Sequence, residues 1–198
     1  MEFNTDLPDN VRVENGCLVI EARKENYKGK TWTSGAINTN NLREFQYGRI
    51  EAKIKYPTDA GFWPAFWLMG ANLNMIPRED GTIYNTGESW PECGELDIME
   101  HVNAVTNSTG AIHYTTGNGL LSSAGYTSGT IDPKAWHVYA IEWTDTLIEW
   151  FTDGVSMGTF TMSSSNYGVS DNPFKQPQYI LLNLAVGGAF PGNPESIS

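Results

Sequence analysis

Basic residues are scarce in this chain, where 12 Lys and Arg stand against 23 Asp and Glu for a formal charge of −11. That balance argues against a nucleic-acid partner, because phosphate recognition needs clustered cations. Long hydrophobic runs are missing as well. No apolar stretch approaches the roughly 20 residues that span a bilayer, so no membrane partner is expected. The opening "MEFNTDLPDN" has neither a basic n-region nor an apolar stretch and holds no signal peptide. A mature secreted protein would read the same way, with Met1 to Phe3 a cloning remnant. Cysteine is nearly absent. Cys17 and Cys93 make no disulfide framework and lack the CxxC spacing of a zinc or redox site. A single bridge between them, or two buried thiols acting as small hydrophobes, both fit the sequence. The three histidines, His101, His113 and His137, have no metal-ligand spacing. "GKT" at Gly29 lacks the upstream glycine of a phosphate loop.

What is present is β-structure. "YGRIEAKIKYP" alternates Ile50, Ala52 and Ile54 against Glu51, Lys53 and Lys55, the period of a strand with one wet face. "CLVIEARK" alternates likewise through Leu18, Ile20 and Ala22. "HVYAIEWT" and "TLIEWFTDG" follow, and Asp153-Gly154 before "VSMGTFT" predicts a hairpin. "QYILLNLAVGG" is apolar almost throughout, as a strand covered on both faces would be. Gly, Pro, Asn and Ser fill the intervening stretches, which are read as loops. There is no internal repeat, and no long amphipathic helix emerges. At 198 residues the chain suits a single domain over 1–198. Many short strands with long loops predict an all-β sandwich or jelly roll of antiparallel sheets.

Chemistry gathers in "SWPECGELDIMEHVN". On a regular strand Glu95 and Asp97 share a face while Glu100 points to the other. One extra residue, a β-bulge with Met99 the expected insertion, would return Glu100 to the side of the other two acids. An unbulged strand with Glu100 in solvent is the alternative, and spacing does not choose between them. The seven tryptophans are the second unusual feature. Trp143 and Trp150 lie inside strand patterns and are expected in the core. Trp63, Trp67 and Trp90 stand beside Gly and Pro in "GFWPAFWLMG" and "SWPECG", where they would build the wall of a cleft. Aromatic faces stack on sugar rings, and nearby acids and amides bond sugar hydroxyls. Acidic charge, tryptophan and an acid triplet together point to neutral carbohydrate.

"GELDIME" resembles the active-site signature of glycoside hydrolase family 16, in its bulged, laminarinase-like form. "NVRVENGCLVIEARKE", "TSGAINT", "YGRIEAKIKYP", "GFWPAFWLMG", "AIHY", "WHVYAIEWT", "IEWFTDG" and "LLNLAVGG" are similar to segments of endo-β-1,3-glucanases, in their usual order. The resemblance implies a β-jelly roll of two curved antiparallel sheets with substrate across the concave face. It implies retaining, endo-acting cleavage of β-1,3-glucan, with mixed-linkage glucan, a galactan such as agarose or carrageenan, or non-catalytic glucan binding as alternatives. Carried over, Glu95 is the nucleophile, Glu100 the acid/base and Asp97 the assisting carboxylate. Glu100 is expected to hold its proton because anionic neighbours raise its pKa. Asn183, His113 and Arg49 match cleft positions and join Trp63, Trp67 and Trp90 as expected substrate-binding residues. No cofactor is expected. A structural calcium occurs in many relatives, but the terminal segments that hold it have no counterpart here. Residues 1–9 are read as a remnant or a shortened first strand. The protein is expected to be a secreted, extracellular or periplasmic monomer.

Overall fold

A computed structural model describes residues 2–73, 75–77, 83–85, 87–116, 120–163 and 172–194. Its largest sheet has six strands in the order β13 (Leu121–Thr127), β12 (Thr109–Thr115), β11 (Glu95–Glu100), β8 (Phe62–Gly70), β17 (Gln178–Val186) and β6 (Ala36–Asn38). Facing it is a four-stranded sheet of β16 (Val155–Thr161), β15 (Leu147–Thr152), β14 (His137–Trp143) and β7 (Gly48–Ile54). Neighbouring strands are antiparallel in both sheets.

Alternation decides what lies between the sheets. Ile50 on β7, Ile141 and Trp143 on β14, and Ile148 and Trp150 on β15 pack against Phe66, Leu68, Leu96 and Ile112 of the larger sheet. Trp143 and Trp150 are buried, as their strand positions predict. Burying a large apolar side chain contributes roughly 1.5–3 kcal/mol, so this layer dominates the stability. Asp153 and Gly154 both adopt positive φ, +51° and +77°, in the turn between β15 and β16. Such a pair matches the right-handed twist of the flanking strands, which is why Asp-Gly closes this hairpin.

Smaller elements surround the sandwich. β1 (Glu2–Asn4) runs parallel to β5 (Lys30–Ser34), which pairs in turn with β4 (Arg23–Tyr27). Residues 2–4 are thus part of a sheet. β2 (Val11–Glu14) pairs with β3 (Cys17–Ile20), and β9 (Met75–Pro77) with β10 (Ile83–Asn85). The alternation expected across "CLVIEARK" breaks after Ile20, and Leu18 is 43% exposed. Cys17 and Cys93 are free thiols, without a bridge. Burial, and next the charge of Glu95, push the Cys93 thiol up to about 12, so it stays protonated and unreactive. β7 is an edge strand. Beside it a cavity of about 620 Å³ is lined by Cys17, Leu18, Ile20, Ile54, Leu182 and Leu184, among others.

Candidate active site

Strand register sets the site. Glu95 on β11 lies opposite His113 of β12 on one side and Met69 of β8 on the other. Asp97 lies opposite Trp67, and Glu100 opposite Ala65, whose other neighbour is Asn183 of β17. These residues share the face turned away from the inter-sheet core.

Glu100 reaches that face through a bulge. The β11–β12 register shifts between Asp97 and Glu100, and the β11–β8 register between Asp97 and Met99. Ile98 and Met99 are both buried in the core, each 1% exposed, so two successive side chains point inward. Against β8 it is Ile98 that lacks a partner, since Met99 pairs with Phe66; the expected insertion was Met99. A bulge disrupts the local ladder. Here the Asp97 carbonyl accepts a 2.8 Å hydrogen bond from the Trp150 indole, which crosses the core from the opposite sheet. Trp150 fits only because residue 110 is Gly, where a Cβ would stand 2.3 Å from Trp150 Cδ1. At the start of β11, Gly94 has φ +78° and a Cβ there would meet Pro173 at 2.7 Å. The glycine of "GELDIME" is needed on both counts.

Glu95 and Glu100 each have an indole donor. Trp90 Nε1 donates to Glu95 Oε2 at 2.7 Å, and Trp63 Nε1 to Glu100 Oε1 at 2.9 Å. Trp67 Nε1 donates to Asn183 Oδ1 at 2.7 Å, which turns the Asn183 amide NH₂ away from the indole. His113 Nε2 lies 3.4 Å from Asp97 Oδ2. The tryptophans expected only as cleft walls therefore also orient the polar groups. Trp90 keeps nearly half its surface exposed and can still present a ring to a sugar.

Burial is the largest influence on all three carboxyls. It pushes Glu95 up to about 8, with the charge of Asp97 adding to it and His113 and the Trp90 N–H opposing it. Asp97 is held well above the usual range by burial and then by Glu100. Glu100 is raised by burial, against the Trp63 hydrogen bond and His113. The shift of Glu100 was expected from its anionic neighbours, but desolvation is the larger cause. Side-chain hydrogen bonding links Asp97 to Glu95, so the pair shares protons and titrates together.

Arg49 is not in the cleft. It projects from β7 on the outer side of the four-stranded sheet, paired with Glu51 and Glu142 at 2.8 and 2.9 Å and over the Phe151 ring. Ile50 faces the core, so strand alternation sends Arg49 outward. Two contributors went unread in the sequence. One is Trp150, legible only as core. The other is Phe190 of "GGAFPG", which is half exposed and packs edge-on against Trp63 at 5.3 Å. Among the described residues, three metal-ligating side chains converge only at Glu95, Asp97 and His113. Calcium takes six to eight oxygens, more than two carboxylates and an imidazole supply.

Known proteins are similar to this chain. The chain is 38% identical over 192 residues to a beta-glucanase of Rhodothermus marinus, covering 93% of this chain and 63% of that protein. It is 33% identical over 187 residues to the clotting factor G alpha subunit of Tachypleus tridentatus, covering 93% of this chain and 25% of that one. The chain thus spans from a quarter to under two thirds of these relatives. The X-ray structure of the laminarinase from Rhodothermus marinus superposes with a TM-score of 0.82 at 32% identity, covering 99% of this chain and 78% of that one. The family model for glycosyl hydrolases family 16 matches residues 2–196, almost the whole sandwich with its bulged acid strand, and to that family this chain belongs.

Proposed function

We propose that the protein is a retaining, endo-acting hydrolase of β-1,3-glucosidic bonds in neutral, laminarin-type β-glucan. The observation that carries this reading is the bulge that gathers Glu95, Asp97 and Glu100 on one face. Glu100, its pKa raised by burial, donates a proton to the departing glycosidic oxygen. Glu95 attacks the anomeric carbon and forms a glycosyl-enzyme. In the reactive form the shared proton rests on Asp97, leaving Glu95 a carboxylate held by Trp90 and Asp97. Glu100 then takes a proton from water as that water releases the sugar, and the configuration is retained. Retention calls for a Glu95–Glu100 carboxyl separation of roughly 5–5.5 Å. Asn183 offers its amide NH₂, and Trp63, Trp90 and His113 border the sugar.

Side chains supply the acid, the nucleophile and the base, so the reaction as proposed needs no cofactor. A polysaccharide does not cross a membrane, which supports a secreted or periplasmic enzyme. No helix among the described residues is long and apolar enough to cross a membrane. The intact triad favours an enzyme over a glucan-binding module, which has no use for three crowded acids.

Incubation with laminarin, lichenan, agarose and carrageenan, following product size over time, tests the proposal. Laminarin should yield a spread of oligosaccharides from the earliest times. Glucose as the sole early product would refute endo action, and cleavage confined to a galactan would refute the glucan assignment.

A further inference from the structure

Glu95, Asp97 and His113 each bring a ligand atom into one small cluster. A carboxylate oxygen from each acid and an imidazole nitrogen lie within 4.8 Å of one another. Asp97 Oδ2 is the unusual member. Its side chain is only 3% exposed, and the oxygen has no hydrogen-bond partner, with His113 Nε2 standing 3.4 Å away. A buried carboxylate oxygen without a donor is a group that calls for a partner. His113 is also the only ion-pair partner of the three acids among the described residues.

We propose that Glu95, Asp97 and His113 form a site for a transition-metal dication of the zinc type, and that its occupation shuts off hydrolysis by ligating the nucleophile. Zinc takes imidazole nitrogen and carboxylate oxygen at about 2.0–2.2 Å in a tetrahedron, which places neighbouring ligand atoms roughly 3.3 Å apart. The His113–Asp97 pair already stands at that spacing. Glu95 lies directly across the strand pair from His113, so a side-chain rotation completes three ligands on a fixed backbone. Outer contacts are in place as well. The Trp90 N–H donates to Glu95 Oε2, while the Trp150 N–H fixes the Asp97 backbone. Three ligands including a nitrogen suit zinc, cobalt or copper, and are too few and too soft for magnesium or calcium. The fourth position, towards the cleft, is left for water.

The test uses the whole chain, freed of metal with a chelator and titrated with Zn²⁺ by calorimetry and by thermal melting. One ion per chain should bind with a rise in Tm, and laminarin hydrolysis should fall in step with occupancy and return on chelation. Mg²⁺ and Ca²⁺ at the same concentration should do neither. Co²⁺ should give the intense visible band of a tetrahedral site. His113→Ala should weaken Zn²⁺ at least about tenfold, and Glu95→Gln, which keeps the side-chain shape, should weaken it as well. His137→Ala should bind like the parent, because His137 lies on the other sheet, bonded to Asp153 and to the Asp132 carbonyl. Absence of Zn²⁺ binding would overturn the proposal. So would binding that survives both His113→Ala and Glu95→Gln, binding lost in His137→Ala, or a weak octahedral Co²⁺ band. Binding is read without turnover. A chain that binds zinc but cleaves no glucan fails the hydrolase reading alone, and one that cleaves laminarin but ignores zinc fails the metal site alone.

Discussion

Glu95, the nucleophile proposed above, opposes the stability of its own fold. Burial and the neighbouring Asp97 lift its pKa to about 8, whereas an ordinary glutamate titrates near 4.5. The sign follows from proton uptake. Between those values the folded protein holds a proton that the unfolded chain has released, so the contribution of Glu95 to stability is greatest below about pH 4.5 and is lost as pH rises towards 8. One such proton gives a slope of at most about 1.4 kcal/mol per pH unit. Glu95→Gln removes the titration and keeps the shape. Its Tm should exceed that of the parent at neutral pH, the gap should widen towards pH 8, and laminarin turnover should be almost abolished. Melting curves across the pH range would decide the matter, and parallel Tm profiles for the two proteins would sink the argument.

At the scale of the element, the bulged strand depends on a residue from the opposite sheet. Trp150 supplies the N–H that the Asp97 carbonyl accepts, and both are buried. Trp150→Phe keeps an aromatic ring but strands the carbonyl, which should destabilise the fold by about 1–3 kcal/mol. Because the acids move relative to one another while the sugar contacts stay, kcat should fall with KM nearly unchanged. Gly110→Ala, pressing on the same indole, should act in the same direction. A destabilised Trp150→Phe enzyme with parent-like kcat would reduce Trp150 to core filling.

The strands themselves were largely legible. Ile50, Ala52 and Ile54 alternate with charged residues, and the structure makes β7 of them. β13 was not legible, since "LSSAGYT" is rich in Ser and Gly and reads as loop, although its burial alternates strictly. Its pairing with β12 overrides weak local preference. The acids were visible as types, but their convergence was not decided by spacing, because a bulge is fixed by partners such as Trp150 that lie far along the chain. Arg49 misled for a related reason. A resemblance can assign a position to a cleft, whereas alternation on β7 and the acids Glu51 and Glu142 hold this guanidinium outside.

The whole molecule carries a formal charge of −11, and the acids of its cleft have no Lys or Arg partner among the described ion pairs. A field of one sign acts on any charged polymer that approaches, and salt screens it within about 10 Å at 0.1 M. Neutral glucan feels little of that field. Its kcat/KM should therefore change less than about twofold between low and high salt, apart from direct effects of salt on the polymer. A sulfated galactan such as carrageenan should be repelled, and added salt should relieve the repulsion without creating a productive site. Measuring turnover on laminarin and inhibition of that turnover by carrageenan, each across a salt series, separates field from fit. Carrageenan that inhibits strongly at low salt, with inhibition fading as salt rises, would reveal a cationic binding surface, contrary to the charge balance argued here.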